Sequence, residues 1–255
     1  MIVKFLGTGT SHGIPVLGCS CAICTSGSEK DTRYRCSIML EKNGKRIVID
    51  TGYEFRLQMI RENIKNIDAV IYTHSHLDHI AGIDDLRVFS AGKRFPIYCS
   101  THTLKYLQIA YPYIFGQDKG RPNLEAHLVE SFQHYNIEGF DITAVEVNHT
   151  RCCGFKTMAY RIGDLGYITD CTYISEEGIE VFKGIDTLIV GALQKEPHNA
   201  HYSFSEAYEL GQKIGAKHIY FTHINHNTSY AEINTLFPNA LSSYDGLCLN
   251  IPGDE

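Results

Sequence analysis

Four side chains able to bind a metal fall within six positions of Thr73-His74-Ser75-His76-Leu77-Asp78-His79. The motif follows directly on an apolar run at residues 68–72. If that run is extended, residues two apart point to the same side, so His74 and His76 can close on one cation. A turn into a helix near Asp78 then swings Asp78 and His79 towards a second cation. Imidazole with carboxylate suits zinc, iron or manganese, and two neighbouring cations make a hydrolytic site. Further ligands must come from afar. Val145-Glu146-Val147-Asn148-His149, Gly166-Tyr167-Ile168-Thr169-Asp170 and His218-Ile219-Tyr220-Phe221-Thr222-His223 each end a strand-like run on a ligand type. One such ending alone reads as a structural or surface residue. Four of them point to a shared site, because ligands gather where strands open into loops.

A second constellation is Gly18-Cys19-Ser20-Cys21-Ala22-Ile23-Cys24, after the Gly- and Pro-punctuated Gly13-Ile14-Pro15. Three thiolates at this spacing hold three corners of a zinc tetrahedron. His226, three residues beyond His223, is the candidate for the fourth. A Cys₃His site has no open position, so its role is structural: it pins the N-terminal loop to the loop carrying His223. Left without metal, clustered exposed thiols invite oxidation. The other cysteines, Cys36, Cys99, Cys152, Cys153, Cys171 and Cys248, sit mostly beside apolar residues and read as small packed hydrophobes.

The elements that must position these groups are strand-length apolar runs rich in β-branched and aromatic residues. They lie at the N-terminus and at residues 37–40, 46–49, 69–72, 97–99, 142–147, 166–169, 188–190 and 218–221. Ser203-Phe204-Ser205-Glu206 is a capping box, with Phe204, Ala207, Leu210 and Ile214 on one helix face behind it. Ser229-Tyr230-Ala231-Glu232 repeats the device before Ile233 and Leu236. Strands with intervening helices give an α/β class. No repeat, low-complexity tract or linker divides the chain, so a single domain over 1–255 is expected.

The 255 residues carry 23 basic and 29 acidic side chains, a net charge of −6. That balance argues against a chain whose whole surface grips a polyanion such as nucleic acid. No apolar stretch approaches the ~20 residues that span a bilayer, and the opening Met1–Leu6 run is too short for a signal peptide. A cytoplasmic location is expected, where thiols stay reduced. The odd count of nine cysteines also argues against a complete disulfide framework.

The motif His74-x-His76-x-Asp78-His79, followed in order by His149, Asp170 and His223, resembles the metallo-β-lactamase superfamily over nearly the whole chain. The resemblance implies an αββα sandwich of two mixed β-sheets, with the site at the edge between them. It implies His74, His76 and His149 on a first metal, Asp78, His79 and His223 on a second, and Asp170 bridging. A histidine in place of a cysteine at the second metal is similar to the phosphodiesterase and thioesterase branches. Gly7-Thr8-Gly9-Thr10, Gly13-Ile14-Pro15, the cysteine cluster and Thr222-His223-Ile224-x-His226 narrow this further. They resemble the phosphoribosyl cyclic phosphodiesterases of the carbon–phosphorus lyase pathway, a group with the same additional zinc site, and this resemblance also suggests a homodimer. By the same resemblance His201, in Pro197-His198-Asn199-Ala200-His201, is the general acid. Imidazole titrates near neutral pH, and the adjoining helix N-terminus favours an anionic phosphate. His12 and His198 read as surface or supporting residues.

The expected cofactors are therefore two catalytic divalent metals, manganese or zinc, and one structural zinc. A hydroxide shared by the catalytic pair attacks phosphorus in line, and His201 protonates the departing alkoxide. Asp78 and His201 are the residues expected to carry the chemistry. The expected substrate is a small cyclic phosphodiester such as phosphoribosyl cyclic phosphate. Three rivals stand beside this reading: a tRNA-processing nuclease, a thioester or lactone hydrolase, and a metal-binding accessory protein without turnover. Against the nuclease, the nearest candidate for a basic RNA-clamping arm is Gly116-Gln117-Asp118-Lys119-Gly120-Arg121-Pro122, and it is short.

Overall fold

The computed structural model describes residues 1–116, 120–151 and 154–252. The pair Cys152-Cys153 and the centre of the 116–122 segment lie outside these described residues. Two seven-stranded sheets face each other. The first comprises β1 (Ile2–Gly7), β2 (Ser37–Lys42), β3 (Lys45–Ile49), β4 (Ala69–Ile71), β5 (Phe95–Cys99), β6 (Leu124–Leu128) and the last strand, β14 (Cys248–Asn250). Its order is β14-β1-β2-β3-β4-β5-β6. The second comprises β7 (His134–Ile137), β8 (Phe140–Asn148), β9 (Lys156–Ile162), β10 (Leu165–Ile168), β11 (Thr187–Gly191), β12 (His218–Thr222) and β13 (Ala240–Ser242), in the order β13-β12-β11-β10-β9-β8-β7. Both sheets are mixed: β2 pairs antiparallel with β3 and β3 parallel with β4, while β9 pairs antiparallel with β10 and β10 parallel with β11.

Strand period explains the layering. Along β3, Ile47 and Ile49 point into the space between the sheets with Ile142, Tyr160, Tyr167 and Ile189. Val48, between them, points outward to meet Phe55, Met59, Leu86 and Leu107. On the other sheet, Ile189 faces inward, while Leu188 and Val190 face outward onto Phe182, Phe204, Leu210 and Ile214. A strand buried on both faces needs a continuous apolar run, which is why 187–191 carries no polar residue beyond its first. The outer layers are helices α1 (Phe55–Arg61) and α3 (Thr101–Ala110), the latter followed by the one-turn α4 (Pro112–Phe115), with the 3₁₀ segment Ala81–Val88 on one side. Helices α5 (Glu176–Phe182) and α6 (Phe204–Ile214) cover the other. The architecture is an αββα sandwich.

Helix α6 begins with both halves of the capping box between Ser203 and Glu206, and ends on Gly215 at φ 83°. The second expected box is only half made. Ser229 accepts from the Glu232 N–H at the start of α7 (Tyr230–Ile233), but the Glu232 carboxylate pairs with Lys195 instead. The helix stops after one turn, short of Leu236. No helix among the described residues is long and apolar enough to cross a membrane.

Candidate metal centre

Four strands of the sandwich open at one edge, and each delivers a ligand type there. His74 follows β4, His149 follows β8, Asp170 follows β10 and His223 follows β12. Helix α2 (Leu77–Ile80) starts just after His76, whose backbone is extended, and turns Asp78 and His79 back inward. Donor atoms of His74, His76, His149 and Asp170 gather in one group; those of Asp78, His79 and His223 gather in another. Both lie within 4.8 Å internally.

Asp170 joins the groups. Its Oδ2 lies 3.4 Å from His149 Nε2 and 3.8 Å from His74 Nε2, while Oδ1 lies 3.4 Å from both His79 Nε2 and His223 Nε2. Asp78 Oδ2 completes the second set, 3.3 Å from His79 Nε2 and 3.6 Å from His223 Nε2. Ligand atoms ~2.1 Å from a tetrahedral zinc stand about 3.4 Å apart, so these spacings suit coordination shells.

Supporting contacts orient the rings. His79 Nδ1–H donates to Asp50 Oδ2 at 2.7 Å, and His149 Nδ1–H donates to the Ala200 carbonyl at 2.8 Å. The Thr73 hydroxyl donates to Asp50 Oδ2 and faces His74 Nδ1, 2.8 and 2.9 Å away. Each bond fixes a tautomer and turns the other nitrogen to the site. Asp50, Asp170 and His223 hold φ at 67°, 47° and 58°, a strained region for residues with side chains that recurs at functional sites. Gly52 lets this support pack closely against α2: a Cβ there would stand 2.2 Å from the Asp78 carbonyl oxygen.

The residues fit a pair of divalent cations. Among the described residues, His74 Nε2, His79 Nε2 and both ring nitrogens of His223 are buried without a hydrogen-bond partner, a state that costs free energy unless another species satisfies them. Burial alone would raise the pKa of Asp78 and Asp170, but the surrounding imidazoles hold both below the usual carboxylate range. Burial also disfavours a charged His79, yet Asp78, Asp170 and Asp50 outweigh it and raise that ring well above the ordinary histidine range. His74, buried beside the His79 cation, is pushed well below it. The cluster thus draws in positive charge, which cations supply.

His201 stands at the rim, half-buried. Its Nδ1 is 3.7 Å from Asp170 Oδ2, and its ring stacks on His223 at 4.7 Å. Burial lowers it to about 3, against the opposing pull of Asp170. His198 stacks on its outer side at 5.4 Å. Two neighbours went unanticipated from the sequence. Phe155 stacks on His76 with centroids 4.8 Å apart, and Asp50 ends a strand just as the ligands do. That shared strand-end position was the signal that could have found Asp50.

The cysteine constellation is also assembled. His226 Nδ1 lies 3.4, 3.5 and 3.3 Å from the Sγ atoms of Cys19, Cys21 and Cys24. Backbone N–H groups of Val16, Cys21 and Cys24 approach the sulfurs of Cys24, Cys19 and Cys21. The Cys24 N–H, the largest influence, lowers Cys21 to about 6, while burial pushes Cys24 up to about 11. The loop is tied down independently. Arg33 donates to Thr8 Oγ1 and the Ser243 carbonyl, and Thr8 and Thr10 bond the backbone of Ile224, next to His223. Of the remaining cysteines in the described residues, Cys36, Cys99 and Cys171 are buried and Cys248 is exposed.

Residues 45–224 match the model of the beta-lactamase superfamily domain. A crystal structure described as a new diphosphatase from the PhnP family is 36% identical, with a TM-score of 0.90, covering 98% of this chain and 97% of that one. An octanoyltransferase of Porphyromonas gingivalis is 30% identical over 95% of this chain and 50% of its own length. A ribonuclease Z of Clostridium acetobutylicum is 27% identical over 58% of this chain and 50% of its own. The chain thus spans about half the length of these two curated relatives. Matched across most of its length, and carrying the histidine–aspartate motif on an αββα sandwich, the chain belongs to the metallo-β-lactamase superfamily, within which it resembles the PhnP family.

Proposed function

We propose that this hydrolase is a binuclear metal-dependent phosphodiesterase acting on a small cyclic phosphodiester such as a phosphoribosyl cyclic phosphate. The observation that carries the reading is Asp170, whose two oxygens face two separate histidine sets. In this reading His74, His76 and His149 would hold one divalent ion and Asp78, His79 and His223 the other, with Asp170 available to both. The ions are manganese or zinc; a separate zinc sits among Cys19, Cys21, Cys24 and His226. When bound, the pair supplies Lewis-acid charge for the phosphoryl oxygens and activates water for attack.

The chain's own residues do the rest. Asp50 and Thr73 hold the His79 and His74 rings in place, and Phe155 stacks on the exposed His76. His201 lies beside Asp170, placed to hand a proton to the departing oxygen. Its burial keeps the free ring neutral, so an anionic phosphate beside it is what favours the protonated form. The likeness to a PhnP-family diphosphatase supports a phosphoryl substrate.

A second reading, an RNA substrate, is favoured by the ribonuclease Z similarity. A panel of cyclic ribose phosphodiester, dinucleoside diphosphate, precursor tRNA, thioester and lactone, assayed with and without added metal, separates these. Turnover of the cyclic phosphodiester at least tenfold above every other substrate is the expected result. Preference for precursor tRNA or for an acyl substrate would replace this reading.

A further inference from the structure

The segment between β11 and α6 carries His201 but contains no helix or strand, and residues 195–199 are exposed. Something must hold it over the metal centre, because a proton donor displaced by about 1 Å loses much of its effect. Three attachments do so. The first is the His149 Nδ1–H bond to the Ala200 carbonyl, 2.8 Å. The second is Tyr202, whose N–H reaches the Cys171 carbonyl at 2.9 Å. The third is Arg151, two residues past the ligand His149. Its backbone N–H donates to the Asn199 carbonyl at 2.9 Å and its Nε to the His198 carbonyl at 3.2 Å. The far end of its guanidinium pairs with Glu206.

Glu206 is the acid of the α6 capping box and also accepts from the Ser203 N–H and hydroxyl at 2.8 and 2.9 Å. The guanidinium therefore ties the outer half of the loop to the first turn of a rigid helix. A planar fork can serve a carbonyl and a carboxylate at once, which a lysine ammonium on a flexible stem cannot do with the same geometry.

We infer that Arg151 is a positioning residue: by clasping the His198–Asn199 carbonyls to Glu206 it sets where His201 stands over the centre, and its influence on turnover passes through His201. The inference rests on the proposed role of His201, and the experiment separates the two.

The experiment measures kcat and KM for an alkyl phosphodiester and a nitrophenyl phosphodiester. The proteins are wild type, Arg151→Ala, Arg151→Lys, His201→Ala and the double variant Arg151→Ala/His201→Ala, with metal content and melting temperature alongside. Arg151→Ala should lower kcat on the alkyl substrate by about 10- to 100-fold, with KM little changed and metal content kept. Arg151→Lys should recover only part of this. An ion pair this exposed adds little stability, so the melting temperature should stay near that of the wild type. In the double variant the arginine substitution should add less than about a threefold further loss, because its effect is already spent. Equal losses from Arg151→Ala with and without His201 would overturn the inference, as would release of metal. The role of His201 is judged separately, on whether His201→Ala alone discriminates between the two leaving groups. If it does not, non-additivity with Arg151 still supports the clasp while the proton-donor reading falls.

Discussion

Three histidines of the centre, His74, His79 and His149, are steered by what their other nitrogen touches. Asp50 shows this best: one buried carboxylate takes the His79 N–H, the Thr73 N–H at 2.8 Å and the Thr73 hydroxyl. Asp50→Asn replaces one acceptor by a donor facing a donor, so the protein should bind its metals about 10- to 100-fold more weakly, read by chelator competition. Unaltered affinity would mean that Asp50 serves folding alone. His201 differs: it stands at the rim, with Nδ1 3.7 Å from Asp170 Oδ2 and its ring stacked on His223. His201→Ala should retain both ions and lose about 10²- to 10⁴-fold in kcat/KM on an alkyl phosphodiester, and much less on a nitrophenyl ester, whose leaving group departs unaided. Equal losses on both would make it a substrate-positioning group; lost metal would make it a ligand. The seven candidate ligands that the structure gathers were legible in the sequence: His74, His76, Asp78 and His79 in one motif after an apolar run, and His149, Asp170 and His223 at the ends of others. Asp50 was not singled out, because Asp50-Thr51-Gly52 after a strand reads equally well as turn chemistry.

Among the elements, legibility followed burial. Strands buried on both faces, such as β4 and β11, announce themselves as continuous apolar runs, and the α6 cap is written in Ser203 and Glu206. Strand β6, Leu-Glu-Ala-His-Leu, consists largely of helix-favouring residues; pairing in parallel with β5 overrides that propensity. Strand β9 was also missed, with Lys156 and Arg161 interrupting its apolar residues. The cysteine loop has its own anchors in Arg33 and in the bonds of Thr8 and Thr10 to Ile224. Removal of the zinc proposed for this loop should therefore loosen it without unfolding the chain. Cys21→Ser should release one zinc and lower the melting temperature by more than about 5 °C, given roughly 2–4 °C per kcal/mol at this size. Activity per folded molecule should fall only partly. Unchanged zinc content in Cys19→Ser, Cys21→Ser and Cys24→Ser alike would show that the cluster holds no metal.

At the scale of the whole molecule, the two sheets meet so that one edge collects strand ends from both, β4 from the first and β8, β10 and β12 from the second. Periodicity alone did not choose this sandwich over other α/β architectures. The resemblance of the histidine–aspartate motif to the metallo-β-lactamase superfamily did, and the structure brings the four distant strand ends together as that resemblance implies. The central claim is that this edge holds two ions joined through Asp170, apart from a third at the cysteines. Its most direct test is elemental analysis of wild type and Asp170→Ala, both saturated with metal, dialysed and checked for native circular dichroism. The account predicts close to three metals per chain in wild type and close to one in Asp170→Ala, the survivor being zinc at the cysteine site. A wild-type protein that holds at most one metal, or an Asp170→Ala protein that keeps all three, would contradict it.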